Sequence, residues 1–175
     1  LEMAVRSGRT RYVGVSNYPA WAAVHMADLL GSAIGMAGVQ TEYSLLNRNA
    51  EQELIPAAQE LGFGIMGWSA LGRGVLTGKY RNATPPDSRG ASVHLAGFVA
   101  PYLNDDAARV VNAVATAAAG LERSPLEVAL AWARGSDGID CSIVGARNTH
   151  QLRDILAAAD LQLEPQIRHV LNEVS

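Results

Sequence analysis

The chain has 175 residues, 49% of them apolar and 18% charged, with 14 Lys+Arg against 17 Asp+Glu for a formal net charge of −3. One globular domain over the whole length is the expectation, and mild acidity without a Lys/Arg run argues against nucleic-acid or membrane-surface partners. No apolar stretch nears the roughly 20 residues of a membrane-spanning helix, and the lone Cys141 offers neither an internal disulfide nor a thiolate metal site, so a reducing, cytoplasmic setting is expected.

Four continuous apolar runs bounded by glycine or polar residues read as buried parallel strands, at 12–15, 38–40, 64–68 and 141–144. After the first, Ser16 and Asn17 are placed to cap a helix over about 19–30, with Pro19 in its first turn. After the second, Asn49 is the expected cap of a helix through Leu54, Ile55, Ala58 and Leu61, stopped by Gly62. A glycine-spaced loop follows the third run over 69–78. Residues 81–104 hold Pro85-Pro86-Asp87-Ser88-Arg89-Gly90, a poor core former that reads as a mobile excursion. An Ala-rich helix is expected from Asp105 or Asp106 to about Leu121. Ser124-Pro125-Leu126-Glu127 then carries a start signal with Ser as cap, Pro first and an early acid. Asn148 or Thr149 opens a helix to about Ala159, and Glu164-Pro165 opens a last one ending near Asn172.

Strand–helix alternation of this kind implies a parallel sheet with right-handed crossovers. Four βα units lacking a first phosphate loop fit part of a (β/α)-barrel better than a doubly wound sheet. The amphipathic stripes need nothing beyond core packing.

Several motif look-alikes fail on chemistry. Gly67-Trp68-Ser69-Ala70-Leu71 and Gly14-Val15-Ser16-Asn17-Tyr18 lack the final glycine of a nucleophile elbow. Gly74-Val75-Leu76-Thr77-Gly78-Lys79-Tyr80 is one residue short of a P-loop and puts Tyr80 where a metal-binding hydroxyl belongs. His25, His94, His150 and His169 stand alone, without ligand spacing.

The stronger signals follow strands, where a parallel barrel carries its functional face. In 69–74, Ser69 supplies a hydroxyl, and Gly72 and Gly74 suit exposed N–H groups and the close approach of an anion. In Gly145-Ala146-Arg147-Asn148-Thr149, Arg147 sits beside a helix start that already favours negative charge. A tight turn explains the first loop alone and a surface pair the second. Both at one end of one sheet favour a phosphate site. Trp68, Gln40 and Asn17 end three strands with a flat aromatic and two amides, suited to a ring and a carboxamide, although core packing and helix capping also account for them singly.

These residues carry a resemblance. Gly8-Arg9-Thr10-Arg11-Tyr12-Val13-Gly14-Val15-Ser16-Asn17-Tyr18 resembles the fifth-strand signature of aldo-keto reductases. Gln40-Thr41-Glu42-Tyr43-Ser44-Leu45-Leu46-Asn47-Arg48 is similar to their sixth strand and loop. The run from Trp68 to Tyr80 resembles the seventh-strand loop of a bacterial branch that is itself similar to potassium-channel β subunits. Ile143-Val144-Gly145-Ala146-Arg147-Asn148-Thr149-His150-Gln151-Leu152 resembles the eighth strand and its phosphate turn.

The resemblance implies the C-terminal half of a (β/α)8 TIM barrel, four parallel βα units plus a C-terminal helix, from a parent that reduces aldehyde or ketone carbonyls with NADPH. It implies that Ser16, Asn17 and Gln40 hold the carboxamide and that Trp68 stacks on the nicotinamide. Ser69, Leu71, Gly72 and Gly74 would line the pyrophosphate. Arg147, in the Gly145 turn, would meet the 2′-phosphate, with Gln151 and Asp154 near the adenosine. Three positions depart from the pattern: Ala70 stands for a common proline, Asp154 for a Glu, and Ile155 for an adenine-contacting Asn.

The family's Asp, Tyr, Lys and His acid–base group belongs to the first four strands, and this sequence starts at Leu1, inside the helix before the fifth. Lys79, the only lysine, matches a different motif, and Tyr12, Tyr18 and Tyr43 lack a lysine neighbour that would suit them to acid catalysis. The expectation is a cofactor cradle that is inactive alone. It would need its missing half or associate with itself through open strand edges. A non-catalytic NADP(H)-sensing module is the alternative, and a phosphate-binding barrel isomerase or lyase a third reading.

Overall fold

The computed structural model describes all residues, Leu1–Ser175. Four strands, β1 (Gly14–Ser16), β2 (Gly38–Glu42), β3 (Gly64–Trp68) and β4 (Cys141–Ile143), form one parallel sheet in the order β1-β2-β3-β4. The first and last each have one unpaired edge, so the sheet is an open arc rather than a closed barrel. Gly14, Gly38 and Gly64 stand side by side in register. A Cβ on Gly38 would lie 2.6 Å from the Gly64 carbonyl oxygen, so a side chain there would force the strands apart.

Alternation along the strands separates two faces. Val39 and Ile65 are fully buried beneath the helices. Ser16, Gln40, Met66 and Cys141 share the opposite face in one row and are exposed or half-exposed.

The helices are α1 (Glu2–Arg6), α2 (Ala20–Ile34), α3 (Leu54–Leu61), α4 (Ala96–Val99), α5 (Asp105–Gly120), α6 (Pro125–Arg134), α7 (Thr149–Ala157) and α8 (Pro165–Val174). None is long and apolar enough to cross a membrane. Local chemistry sets several of their ends. Asn104 and Asn148 accept the Ala107 and Gln151 amides at the starts of α5 and α7, and Ser124 and Glu127 form a reciprocal capping box on α6. Gly62 ends α3 in the left-handed region at φ 73°. Gly31, at φ 57°, interrupts α2 just past the expected end near Leu30.

Two expected caps are corrected. Pro19 precedes α2 without any side-chain cap, because Asn17 turns toward Trp68 instead. Asn49 lies in a separate 3₁₀ turn, Asn49–Glu51, and α3 starts only after Glu53. Residues 81–104, a poor core former by composition, still lend the core one side chain. Val99 in α4 is fully buried, and the Tyr80 hydroxyl accepts the Gly90 amide at 3.0 Å.

A polar clamp fastens α8. Tyr43 donates to Glu51 at 2.7 Å, and Arg48 grips the same carboxylate through Nε and Nη2 at 2.8 and 2.7 Å. Arg48 Nη1 reaches the Asn172 carbonyl and the Ser175 hydroxyl, both at 2.8 Å. Burial pushes the Glu51 carboxyl up, but the Arg48 and Tyr43 hydrogen bonds outweigh it and hold it below its ordinary value of 4.5. A depressed acid contributes stability that is complete above that ordinary value and is lost as pH falls through the folded one. Urea midpoints should therefore drop as pH is lowered below 4.5, and Glu51→Gln should flatten that slope. Equal slopes in the two proteins would place the acid sensitivity elsewhere.

Candidate active-site face at the strand ends

The C-terminal ends of β1, β2 and β3 converge. Register places Ser16 opposite Gln40, and Glu42 opposite Trp68. Ser16 Oγ donates to Gln40 Oε1 at 2.8 Å, which leaves the Gln40 amide N–H groups clear of that bond. Asn17 sits at φ 57° and accepts the Trp68 indole N–H at 2.8 Å. The two amides and the indole read from the sequence as separate strand ends are thus joined into one hydrogen-bonded row.

The loop after β3 is wound on itself. Ser69, Gly72, Arg73 and Gly74 all have positive φ. Gly72 N–H donates to the Ser69 carbonyl, Arg73 N–H to Ser69 Oγ at 2.8 Å, and Gly74 N–H to the Leu71 carbonyl at 2.9 Å. The expectation of exposed amides at 72–74 is therefore corrected, since these donors close the turn. Gly72 is buried, and a Cβ there would lie 2.7 Å from Leu46 Cδ1. Its glycine is explained by that close approach and by φ +55°.

Arg73 ties this loop to its surroundings. Its Nε and Nη2 pair with both Glu42 oxygens at 2.8 and 2.5 Å, and Nη1 donates to the Phe98 carbonyl at 2.6 Å. The guanidinium lies 4.1 Å from the centre of the Phe98 ring and 4.8 Å from that of Tyr102. The Glu42 hydrogen bonds raise the Arg73 pKa against the opposing effect of burial, so this cation is held and internally neutralised.

After β4, the Arg147 N–H donates to Gln151 Oε1 at 2.9 Å, and its guanidinium reaches the Asp87 carbonyl at 3.2 Å. Asp154 Oδ2 lies 2.9 Å from His150 Nδ1, one turn earlier on α7.

A cavity of about 660 Å³ lies between this turn and the β3 loop. Seven of the expected residues line it: Trp68, Ser69, Leu71, Gly74, Gly145, Arg147 and Gln151. Ser16, Asn17 and Gln40 stand outside the lining and connect to it through Trp68, while Gly72 and Asp154 do not face it. Lys79 and Arg89 do line the cavity and were not singled out as ligand groups from the sequence. In the sequence Lys79 matches a loop motif, and Arg89 lies in a Pro-rich segment that reads as an excursion. Including Arg147, the lining has three cations without a carboxylate partner and no Asp or Glu, an environment selective for anions. A second cavity of about 330 Å³, beside the free edge of β4, is mostly apolar and shares only Val144 and Ile155 with the first. It contributes nothing to this row of groups.

No group of three His, Cys, Asp or Glu side chains could hold a metal ion. No tyrosine is hydrogen-bonded to a lysine: Tyr43 is committed to Glu51, and Lys79 lies over the Tyr80 ring, 5.1 Å from its centre.

Comparison with known proteins points to one family. The model of the Aldo/keto reductase family matches residues 1–174. The uncharacterized oxidoreductase YrpG of Bacillus subtilis is 31% identical over 99% of the chain and 51% of its own length. The L-glyceraldehyde 3-phosphate reductase of Escherichia coli is 32% identical over 90% of the chain and 47% of its own length. A probable voltage-gated potassium channel subunit beta of Oryza sativa is 31% identical over 92% of the chain and 50% of its own length. The chain spans about half the length of these curated relatives. With its four parallel βα units, its strand-end row and a family match over nearly every residue, the chain belongs to the aldo/keto reductase family.

Proposed function

We propose that this chain is the NADP(H)-holding part of a carbonyl reductase, and the cavity with three unpaired cations and no acid beside Trp68 carries that reading. Trp68 would lie against the nicotinamide ring, with its tilt fixed by Asn17. Gln40, held by Ser16, would offer its amide N–H groups to the carboxamide. Ser69, Leu71 and Gly74 would border the pyrophosphate, with Lys79 and Arg89 supplying charge and Gly72 shaping the turn from behind. Arg147, beside Gly145, would meet the 2′-phosphate by exchanging its Asp87 carbonyl contact for a charged one. Gln151 and Asp154 would flank the adenosine.

When bound, the coenzyme supplies hydride for a carbonyl carbon. The chain's own residues orient it and exclude water, but none is placed to protonate the carbonyl oxygen. Turnover is therefore not expected from these residues alone. A complementary half, or self-association through the free edges of β1 and β4, would have to complete the barrel. The same lack of an acid–base pair also suits a module that senses NADP(H) without consuming it. Reduction of an aldehyde by the longer protein would separate the two.

Calorimetry and thermal unfolding test the binding reading directly. NADPH at about 100 times its Kd should add about 2.7 kcal/mol of stability. Arg147→Met should weaken NADPH about tenfold or more while leaving NADH unchanged. Loss of both coenzymes to the same degree would defeat the assignment of Arg147, and binding of neither by the unaltered chain would defeat the whole proposal.

A further inference from the structure

The side chains of β4 do not select the register in which it sits. A strand finds its register where one face must be buried, yet none of the three residues of β4 is fully buried, and β3 is its one neighbour. Pairing of Ser142 with Gly67 turns the serine toward the helices, where its hydroxyl is buried without a hydrogen-bond partner, while Ile143 stays 37% exposed on the other side. Polarity favours the opposite arrangement, which a slip of one residue supplies. The residue before the strand holds the observed pairing instead. Asp140 N–H donates to the Ile65 carbonyl at 3.0 Å, and Asp140 Oδ2 accepts the Ile65 N–H at 2.7 Å. The carboxylate stands in for a strand carbonyl that β4 begins too late to supply, and it satisfies an amide next to the core. Gly64 leaves room for it, since a Cβ there would lie 3.1 Å from Asp140 Oδ2.

We propose that the Asp140 carboxylate is the register pin of β4 and, through that strand, the positioning residue for the Arg147 turn. β4 runs by way of Val144 into Gly145-Ala146-Arg147, so its register fixes how far along the sheet that turn stands from Trp68 and the β3 loop. One residue of slip moves a parallel strand by about 3.3 Å, enough to break a forked guanidinium–phosphate contact of about 2.7–2.9 Å. The functional consequence rests on the dinucleotide reading of the cavity, whereas the pin itself does not, and the two can fail separately.

Amide hydrogen exchange read by NMR without coenzyme tests the pin, and calorimetry with NADPH and NADH tests its consequence. Asp140→Ala should speed exchange at Ile65 and over 141–147 by about tenfold or more, with β1 and β2 unchanged. It should also lower the preference for NADPH over NADH by about threefold to tenfold. Asp140→Asn keeps an acceptor oxygen and should restore both, which a general loss of stability would not allow. Asp140→Val, a strand-favouring residue without an acceptor, serves the same comparison should the alanine variant fold poorly. Unchanged exchange at Ile65 and over 141–147 overturns the pin. Faster exchange with an unchanged coenzyme preference overturns the positioning role and leaves the dinucleotide reading intact. If the unaltered chain binds neither coenzyme, the dinucleotide reading falls, while faster exchange in Asp140→Ala that Asp140→Asn reverses still sustains the pin.

Discussion

Replacing Trp132 by alanine should destabilise the chain by about 3–5 kcal/mol, a large share of the about 5–15 kcal/mol that separates folded from unfolded domains. Trp132 is 1% exposed and is among the largest fully buried side chains. It stacks on Tyr43 with ring centres 5.4 Å apart, its indole N–H donates to Asn172 at 2.7 Å, and the Arg48 guanidinium lies 5.6 Å from the centre of its ring. Truncation would remove the ring, open a cavity against Tyr43 and leave the Asn172 acceptor without its donor. Urea unfolding followed by circular dichroism measures the loss. Trp132→Phe separates the contributions, since it keeps a ring against Tyr43 and loses the Asn172 bond, with an expected cost of about 1–2 kcal/mol. A loss below 1 kcal/mol for the alanine variant would mean that the α8 clamp is not fastened in solution.

Glu42→Ala should cost about 3 kcal/mol, because it strands the Arg73 guanidinium where only 15% of that side chain reaches solvent. Most of that figure is the penalty of an uncompensated charge, so the double variant Glu42→Met/Arg73→Met should recover at least half of the loss. A double-mutant cycle in urea reads the coupling. Independent, additive effects of the two substitutions would show that the pair is not formed.

How much of this was legible in the sequence depended on how local the deciding contact was. β3 and the Ser124-Pro125-Leu126-Glu127 start appear where expected, because a run of apolar residues and a three-residue cap carry their own signal. In the sequence Asn17 offers two roles, a strand-end amide suited to a carboxamide and a helix cap that its nearest neighbours permit. Its actual partner, Trp68, lies 51 positions away, and only the pairing of β1, β2 and β3 brings the two together. The glycines at 72 and 74 were legible as a turn, but the use of their amides within it depends on positive φ at Ser69 and Arg73, which residue type alone does not disclose. Arg89 is not legible as a cavity residue, because the Pro-rich run around it carries no sign that the same segment buries Val99 in the core. Even so, the strand-end placement of Trp68 and Arg147 on one side of the sheet followed from strand–helix alternation, and the structure puts both on one cavity.

The strand pairings differ in how far the chain must travel to make them. β1 meets β2 and β2 meets β3 across single βα units, but Met66 must find Cys141 only after the whole of 69–140 has been laid down. Closing that long span costs more chain entropy than either of the others, and β4 offers only three residues in return. The last unit should accordingly dock late during folding and detach first in partial opening. Arg147 rides on that unit, so the charge proposed to choose between coenzymes sits on a part of the molecule expected to settle late, where an arriving phosphate would itself help to seat it.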